Sequence, residues 1–424
     1  MRRVNVLLFP AGAENALELH DALRFSTRFK TLGGTSVRDN TSFFYKPEDI
    51  VRLPMLADDA FFESLNAVIR QREIRFIFPT HDSVVLELAR HKDKLAATAL
   101  VPNFETARAC RDKRVCYELF KDCAFTPNIW NAPPNRYPCF AKPASGQGGQ
   151  GCGLVRTPKE AEAILQRPDM LLCEYLPGEE YTIDCFTDQN GALLFAGQRS
   201  RDLVKMGIAF RSGSMALDPE ISAIADALNV RLHFRGLWFF QVKRDAAGRF
   251  KLLEVSARVA TGMGLFRQQG INLPLLTLYD AMGMSVTPLK QNFRVEFSRS
   301  LKSSYRLGIE YDTVYVDYDD TLTNGDEVNA TAMQFLWQCL NKGKHIILLS
   351  RHEGDLTADM KKRRINADMF DDIIVLPSDQ NKSVFISSNA ILLDNLFSER
   401  LEVHRATGIP VFDVDALDSL ITDC

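Results

Sequence analysis

The sequence predicts a mixed α/β and α+β protein of about three domains, on three observations. At 424 residues the chain exceeds one ordinary core, given a usual scale of about 150 residues per domain. Short β-branched or aromatic runs alternate with amphipathic helical stretches at both ends of the chain. Between them lies a middle region of strand-like runs, one pair of which reads as a hairpin.

The first of these patterns is "VNVLLF" followed by "PAGAENALELHDALR", a strand, a turn and a helix. "IRFIFPTHDSVVLELARHKDKL" repeats it, so residues 1–103 read as a small layer with a parallel sheet. The two arginines and short apolar run at the start are read as a first strand rather than a leader, because Gly12 and Glu14 end the run without a cleavage pattern. The first loop lacks a full GxGxxG, which argues against dinucleotide binding there. His81 stands at a strand end, where it reads as a turn residue capping the next helix.

Residues 104–300 begin with one expected helix, "ETARACRDKRVCYELFKDC", and a Pro/Asn-rich connection. Strand-like runs follow, ending in "GLWFFQVKRDAAGRFKLLEVSAR", a hairpin with Gly248 in its turn. The pattern loosens over residues 288–312, where a boundary is placed. Beyond it, residues 301–424 again alternate strands and helices, in "TVYVDYDDTLT", "HIILLSRH", "DIIVLP", "AILLDN" and "IPVFDVD".

Composition narrows the function. Hydrophobic residues make up 46% and charged residues 25%, the balance of a water-soluble fold. The net charge is −3 with no block of like charges, which argues against a broad nucleic-acid or anionic-membrane surface. No run reaches the roughly 18 apolar residues that span a bilayer. The nine cysteines are scattered, with no CxxC pair, which suits inert thiols in a reducing cytoplasm. A zinc site from Cys110, Cys116 and Cys123 is the weaker alternative.

Two stretches carry chemistry. In "FAKPASGQGGQGCGLV", Lys142 precedes five glycines between Gly146 and Gly153. Glycines let backbone N–H groups turn toward an anion without interference from Cβ, and a strand-borne lysine adds a positive charge beside them. The loop is neither a Walker A loop nor a dinucleotide fingerprint; the plain alternative is a flexible linker. In "VYVDYDDTLT", Asp317 and Asp319 stand two residues apart at a strand tip. One carboxylate can attack phosphorus and the other serve as general acid; helix-capping carboxylates in a turn are the alternative.

With these motifs in order, residues 1 to about 300 resemble the ATP-grasp superfamily, in its carbamoyl-phosphate synthase-like branch. The resemblance implies a pre-ATP-grasp Rossmann-like domain followed by an ATP-grasp fold, with ATP and Mg2+ (or Mn2+) as cofactors. It implies that Lys113 in "RDK" and Lys142 in "FAKP" bind phosphate, under a glycine lid that includes Gly146, Gly148 and Gly149. In "EYLPGEEYTID", Glu174 and the backbone of Tyr175 and Leu176 would meet the adenine, and Glu180 the ribose. Gln241 and Glu254 would hold magnesium, and Arg258 would face the transferring phosphate and the substrate carboxylate. Ser256 stands where the family usually has Asn, which puts a second metal in doubt. Arg201, Lys205 and Arg211 are candidates for substrate or phosphate contact, with a solvated surface role the competing reading for Arg201.

Residues 312–424 resemble the haloacid dehalogenase-like (HAD) phosphatase superfamily. That resemblance implies Asp317 as nucleophile, Asp319 as acid–base, Ser350 and Lys382 on the phosphate, and magnesium held by Asp317, Asp319 and Asp394. Asn395 replaces a second acid that the family often has. The gaps, about 20 residues after the first motif and about 30 between Ser350 and Lys382, leave no room for a cap domain. The expected function is a bifunctional biosynthetic enzyme, a carboxylate–amine ligase fused to a phosphatase of the same small-metabolite pathway. Such fusions resemble proteins of stress-response and tellurite-resistance clusters. The expected partners are a small carboxylate and an amine or phosphorylated metabolite, with a homodimer compatible. The alternative is a nucleotide-sensing module with decayed ligase activity, favoured by Ser256 and Asn395.

Overall fold

The computed structural model describes residues 2–146 and 148–422. The chain divides into two units, Met1–Leu301 and Lys302–Cys424, described separately below.

The first unit opens with a parallel sheet in the order Ile50–Arg52, Phe29–Thr35, Val4–Phe9, Ile74–Pro79, Thr98–Ala99. Val6, Leu7 and Leu8 are all fully buried, so this central strand is covered on both faces, as parallel sheets require. The helix Asp82–Arg90 follows directly, and His81 is its cap, with Nδ1 accepting from Ser83 N at 3.2 Å.

The single helix expected after residue 104 is two, Phe104–Arg111 and Lys113–Leu119. Asp112 breaks it: its backbone is extended, and its carboxylate accepts from Arg114 N at 2.8 Å, capping the second helix. The break puts Lys113 at a helix start, where its N–H reaches Ala144 O at 2.9 Å, beside the glycine loop.

Two antiparallel sheets follow. The smaller has the order Gly153–Val155, Cys139–Pro143, Met170–Glu174, and the glycine loop joins its first two strands in chain order. The larger has the order Leu193–Ser200, Glu180–Thr187, Gly236–Arg244, Phe250–Ser256. Its last pair is the hairpin, whose turn carries Gly248 at φ +81°, a conformation that favours glycine. A third sheet pairs Ile208–Gly213 with Leu203–Lys205 and Glu296–Ser298.

The second unit is a five-stranded parallel sheet, ordered Asp372–Val375, His345–Ser350, Thr313–Val316, Ala390–Leu393, Val411–Phe412. The first strand in sequence is central, with chain crossovers running to either side of it. Ligands of such sheets bind beyond the carboxyl ends of the strands at this switch point, and Asp317, Ser350 and Asp394 stand there. Between the first two strands lie only a two-stranded ribbon (Thr323–Asn324 with Glu327–Val328) and the helix Ala330–Asn341. Among the described residues, no helix of either unit is long and apolar enough to cross a membrane.

One buried carboxyl ties the first sheet's helix layer to the rest of its unit. Glu18, on helix Glu14–Leu23, pairs with Arg267 at 3.2 Å and packs where a Cβ on Gly264 would sit. Burial lifts Glu18 from 4.5 to about 7, against the pull of Arg267. A carboxyl with a raised folded pKa favours folding while protonated. Its contribution is full below about 4.5 and is lost as pH rises through about 7. Denaturant unfolding across this window should show stability falling by up to about 3 kcal/mol, and Glu18→Gln should flatten that slope.

Candidate functional site

Lys113, Lys142 and Glu254, distant in sequence, line one cavity of about 310 Å3 in the first unit. Gly146, Gly148, Gly149, Glu180, Arg201 and Gln241 line it too. The floor is built from the smaller sheet, through Phe140 and Lys142, and from the hairpin, through Gln241 and Glu254.

Lys142 is buried, 7% exposed, so its ammonium needs partners. Nζ donates to Tyr117 Oη at 2.6 Å, and that hydroxyl donates to Leu253 O, also at 2.6 Å. Burial lowers the Lys142 pKa, as does neighbouring Lys113, while Glu254 acts in the opposite sense. Lys113 Nζ reaches Gly146 O at 3.4 Å, so both lysines stand at the base of the glycine loop.

Gln241 and Glu254 are directly opposite across the hairpin. The Glu254 carboxylate has no hydrogen-bond or ion-pair partner among the described residues. An unpaired carboxylate beside an amide oxygen, facing a cavity, is a donor set that suits a hard cation such as Mg2+.

The glycine loop closes against a turn that sequence reasoning passed over. A Cβ on Gly207, at φ +75°, would meet the Gly148 backbone at 2.5 Å. Arg201 holds this turn, donating to Gly207 O at 2.9 Å, and it also pairs with Glu180 at 2.6 Å. Its side chain is 6% exposed, so the solvated reading of Arg201 is incorrect.

Other expectations are also corrected. Arg211 and Lys205 are exposed strand residues that line neither this cavity nor the adjoining chamber. Glu174 borders a neighbouring hollow with Tyr175 and Leu176. Its carboxylate is already engaged, accepting from Asn128 N at 3.0 Å and from Asn128 Nδ2 at 3.3 Å. Ser256 does not offer its hydroxyl to a metal; Oγ donates to Asp82 Oδ1 at 2.6 Å. Arg258 Nε donates to Asp82 Oδ2 at 3.0 Å. Asp82 was not anticipated, since its pattern in sequence is only that of a helix start. Burial pushes its carboxyl up, but Arg258 and Ser256 more than reverse this, leaving it below its ordinary value.

Asp82, Ser256 and Arg258 belong to an adjoining chamber of about 110 Å3, shared with Arg111 and Arg199. Arg199 is 2% exposed and held by Asp184 at 2.8 Å.

In the second unit, Lys382 is 2% exposed and lies between two aspartates, 2.7 Å from Asp317 and 2.6 Å from Asp394. Burial lifts Asp317 to about 6 against the pull of Lys382, and Asp394 adds to the rise. The Ser350 hydroxyl, buried and without a hydrogen-bond partner among the described residues, acts the other way and favours the anion. Asp319 turns away, to His352 Nδ1 at 2.9 Å. Asn395 interlocks with Thr321, whose Oγ1 accepts from Asn395 N at 3.0 Å.

The expected trio of Asp317, Asp319 and Asp394 is thus not a ligand set. The lysine ammonium fills the space between two of them, and the third faces a histidine. Among the described residues no group of three or more His, Cys, Asp or Glu side chains is placed to hold a metal, the cysteine trio included.

Two family models match this sequence. "ATP-grasp in the biosynthetic pathway with Ter operon" matches residues 166–301, and "ATP-grasp domain" matches residues 110–216. Biotin carboxylase from Campylobacter jejuni, solved with β,γ-ATP, is 17% identical, covering 70% of this chain and 75% of its own at TM-score 0.54. N5-carboxyaminoimidazole synthetase from Staphylococcus aureus, solved with ADP, is 12% identical, covering 68% and 79% at TM-score 0.55. The biotin carboxylase domain of 2-oxoglutarate carboxylase from Hydrogenobacter thermophilus, solved with MgADP, ADP and bicarbonate, is 16% identical, covering 69% and 73% at TM-score 0.54. No curated relative matches the chain. At these identities the structures show the fold, and with the family models they mark an ATP-grasp domain within the first unit.

The Asp82 clasp gives a direct test. Asp82→Ala leaves Arg258 without its carboxylate and should destabilise the first unit by roughly 1–3 kcal/mol in urea unfolding. Asp82→Asn, which keeps a hydrogen-bond acceptor, should cost less.

Proposed function

We propose that the first unit is an ATP-dependent carboxylate–amine ligase working through an acyl phosphate. The second unit, in this reading, is a phosphatase serving the same small-metabolite pathway. The convergence of Lys113, Lys142 and Glu254 on one cavity under the glycine loop carries the ligase reading. The nucleotides in the similar structures support ATP as the cofactor.

Lys113, Lys142 and the loop N–H groups hold the triphosphate and meet the charge that builds up as phosphoryl transfers. Gln241 and Glu254 would hold Mg2+, which when bound supplies charge neutralisation of the phosphates. Arg258, fixed by Asp82, orients the substrate carboxylate. A carboxylate oxygen attacks the γ-phosphorus, the β–γ bridging P–O bond breaks, and ADP leaves. An amine then attacks the acyl carbon, phosphate departs, and the amine proton goes to solvent. The Gly148–Gly207 contact closes the loop over this path, excluding water that would hydrolyse the acyl phosphate.

In the second unit Asp317 attacks the phosphorus of a phosphate monoester, breaking the ester P–O bond. Lys382 and Ser350 steady the charge, and Asp319, once released from His352, protonates the leaving oxygen. Water then releases phosphate from Asp317. No metal is assigned to this site. The matched family's description, a biosynthetic pathway with a Ter operon, supports placing the chain in a stress-response, tellurite-resistance type of cluster.

A second reading, a nucleotide sensor with decayed ligation, is favoured by the Ser256 hydroxyl being committed to Asp82. Mg2+-dependent ADP release, screened over carboxylates with amines, separates the two, since a sensor would bind ATP without turnover. Lys142→Ala should lower that turnover or nucleotide affinity roughly ten- to a hundred-fold, the worth of a charged hydrogen bond. Asp317→Asn should abolish hydrolysis of p-nitrophenyl phosphate by the whole chain while leaving ADP release unchanged.

A further inference from the structure

The small chamber beside the nucleotide cavity is lined by the cations Arg111, Lys113, Arg199, Arg201 and Arg258 and by the carboxylates Asp82 and Glu254. Arg111, Arg199 and Arg258 line it and do not line the larger cavity, so they are not placed for the triphosphate. Arg201 borders both. Three of these four guanidiniums have a carboxylate of their own: Asp184 for Arg199 at 2.8 Å, Glu180 for Arg201 at 2.6 Å, and Asp82 for Arg258 at 3.0 Å. Arg111 has no ion-pair partner among the described residues.

Its placement is set by the chain. Arg111 is the last residue of its helix, next to the break at Asp112 that puts Lys113 at the nucleotide. It lines the same chamber as Arg258, and burial foremost, then both guanidiniums, hold His81 below its ordinary pKa, against Asp82. An unpaired, half-buried guanidinium beside a paired one is a fork awaiting an acceptor.

We infer that the chamber takes a short acid bearing two anionic groups, the carboxylate to be phosphorylated at Arg258 and a second carboxylate or phosphate at Arg111. Phosphoryl transfer requires only the first group; Arg111 selects for the second. The chamber, about 110 Å3 against about 310 Å3 for the nucleotide cavity, limits the acid to a few carbons. This inference names the substrate class of the ligase reading and rests on it.

Calorimetric titration of the whole chain, loaded with Mg2+ and a non-hydrolysable ATP analogue, tests the assignment. Malonate and phosphoglycolate are the two-charge probes, and acetate is the one-charge control. At least one two-charge probe should bind roughly ten- to a hundred-fold more tightly than acetate. Which one does distinguishes a dicarboxylate from a phosphorylated acid. Arg111→Gln should erase the preference while leaving affinity for the analogue intact, and Arg111→Lys, which keeps the charge and loses the fork, should retain part of it. Equal binding of all three probes by the unmodified chain, or a preference surviving Arg111→Gln, would overturn the inference. Failure of the analogue to bind would instead sink the ligase reading. The same probes titrated into nucleotide-free protein would still decide the role of Arg111.

Discussion

The first unit is organised around a lysine that is not in water. Lys142 points from a strand into the protein, and a buried ammonium is tolerated only where its hydrogens find acceptors. Tyr117 provides one, and Tyr117 is itself tied to Leu253. These bonds join a helix, the smaller sheet and the hairpin at one point. Glu254 follows Leu253, so the bond that stabilises the lysine also places the carboxylate facing it across the cavity.

Around that point the cations are held in advance by carboxylates. Asp184, Glu180 and Asp82 fix Arg199, Arg201 and Arg258, two of them nearly removed from solvent. Such pairs add little net stability, because desolvation offsets most of the attraction. They do set direction: a guanidinium already aimed loses little entropy when an anion arrives. Asp82 does this across the unit, from the helix layer of the first sheet to the end of the hairpin. Arg201 links Glu180 to the turn against which the glycine loop closes. Glu254, Lys113 and Arg111 are the exceptions, charged and without an ion-pair partner among the described residues. Unpaired charge in an otherwise compensated setting marks where ligand is expected to supply the missing counter-charge.

The second unit shows the same economy with opposite signs. Two buried aspartates share one lysine, and burial raises both carboxyls while the lysine holds them back. This arrangement gathers Asp317, Lys382 and Asp394 at the switch point of the sheet. It differs from a metal cage, since the cation between the carboxylates is covalently part of the chain.

Much of this was legible in the residues. Alternating apolar runs and helical patterns located the parallel sheets, because hydrophobic periodicity is a local property. Lys142 before its glycines read as a place for an anion, and Gln241 and Glu254 in a hairpin read as cation ligands through the ATP-grasp resemblance. The break at Asp112 was hidden, since a capping aspartate inside a helical pattern reads as helix until the next turn is seen. The partners of the site residues were also hidden: Tyr117 for Lys142, Asp82 for Ser256 and Arg258, His352 for Asp319. Each lies tens to hundreds of residues away in the chain. Local sequence determined which groups are present and which strand or loop carries them. Which charges neutralise one another, and which are left free for a ligand, depends on distances of a few ångströms between remote segments, and only the tertiary packing sets those.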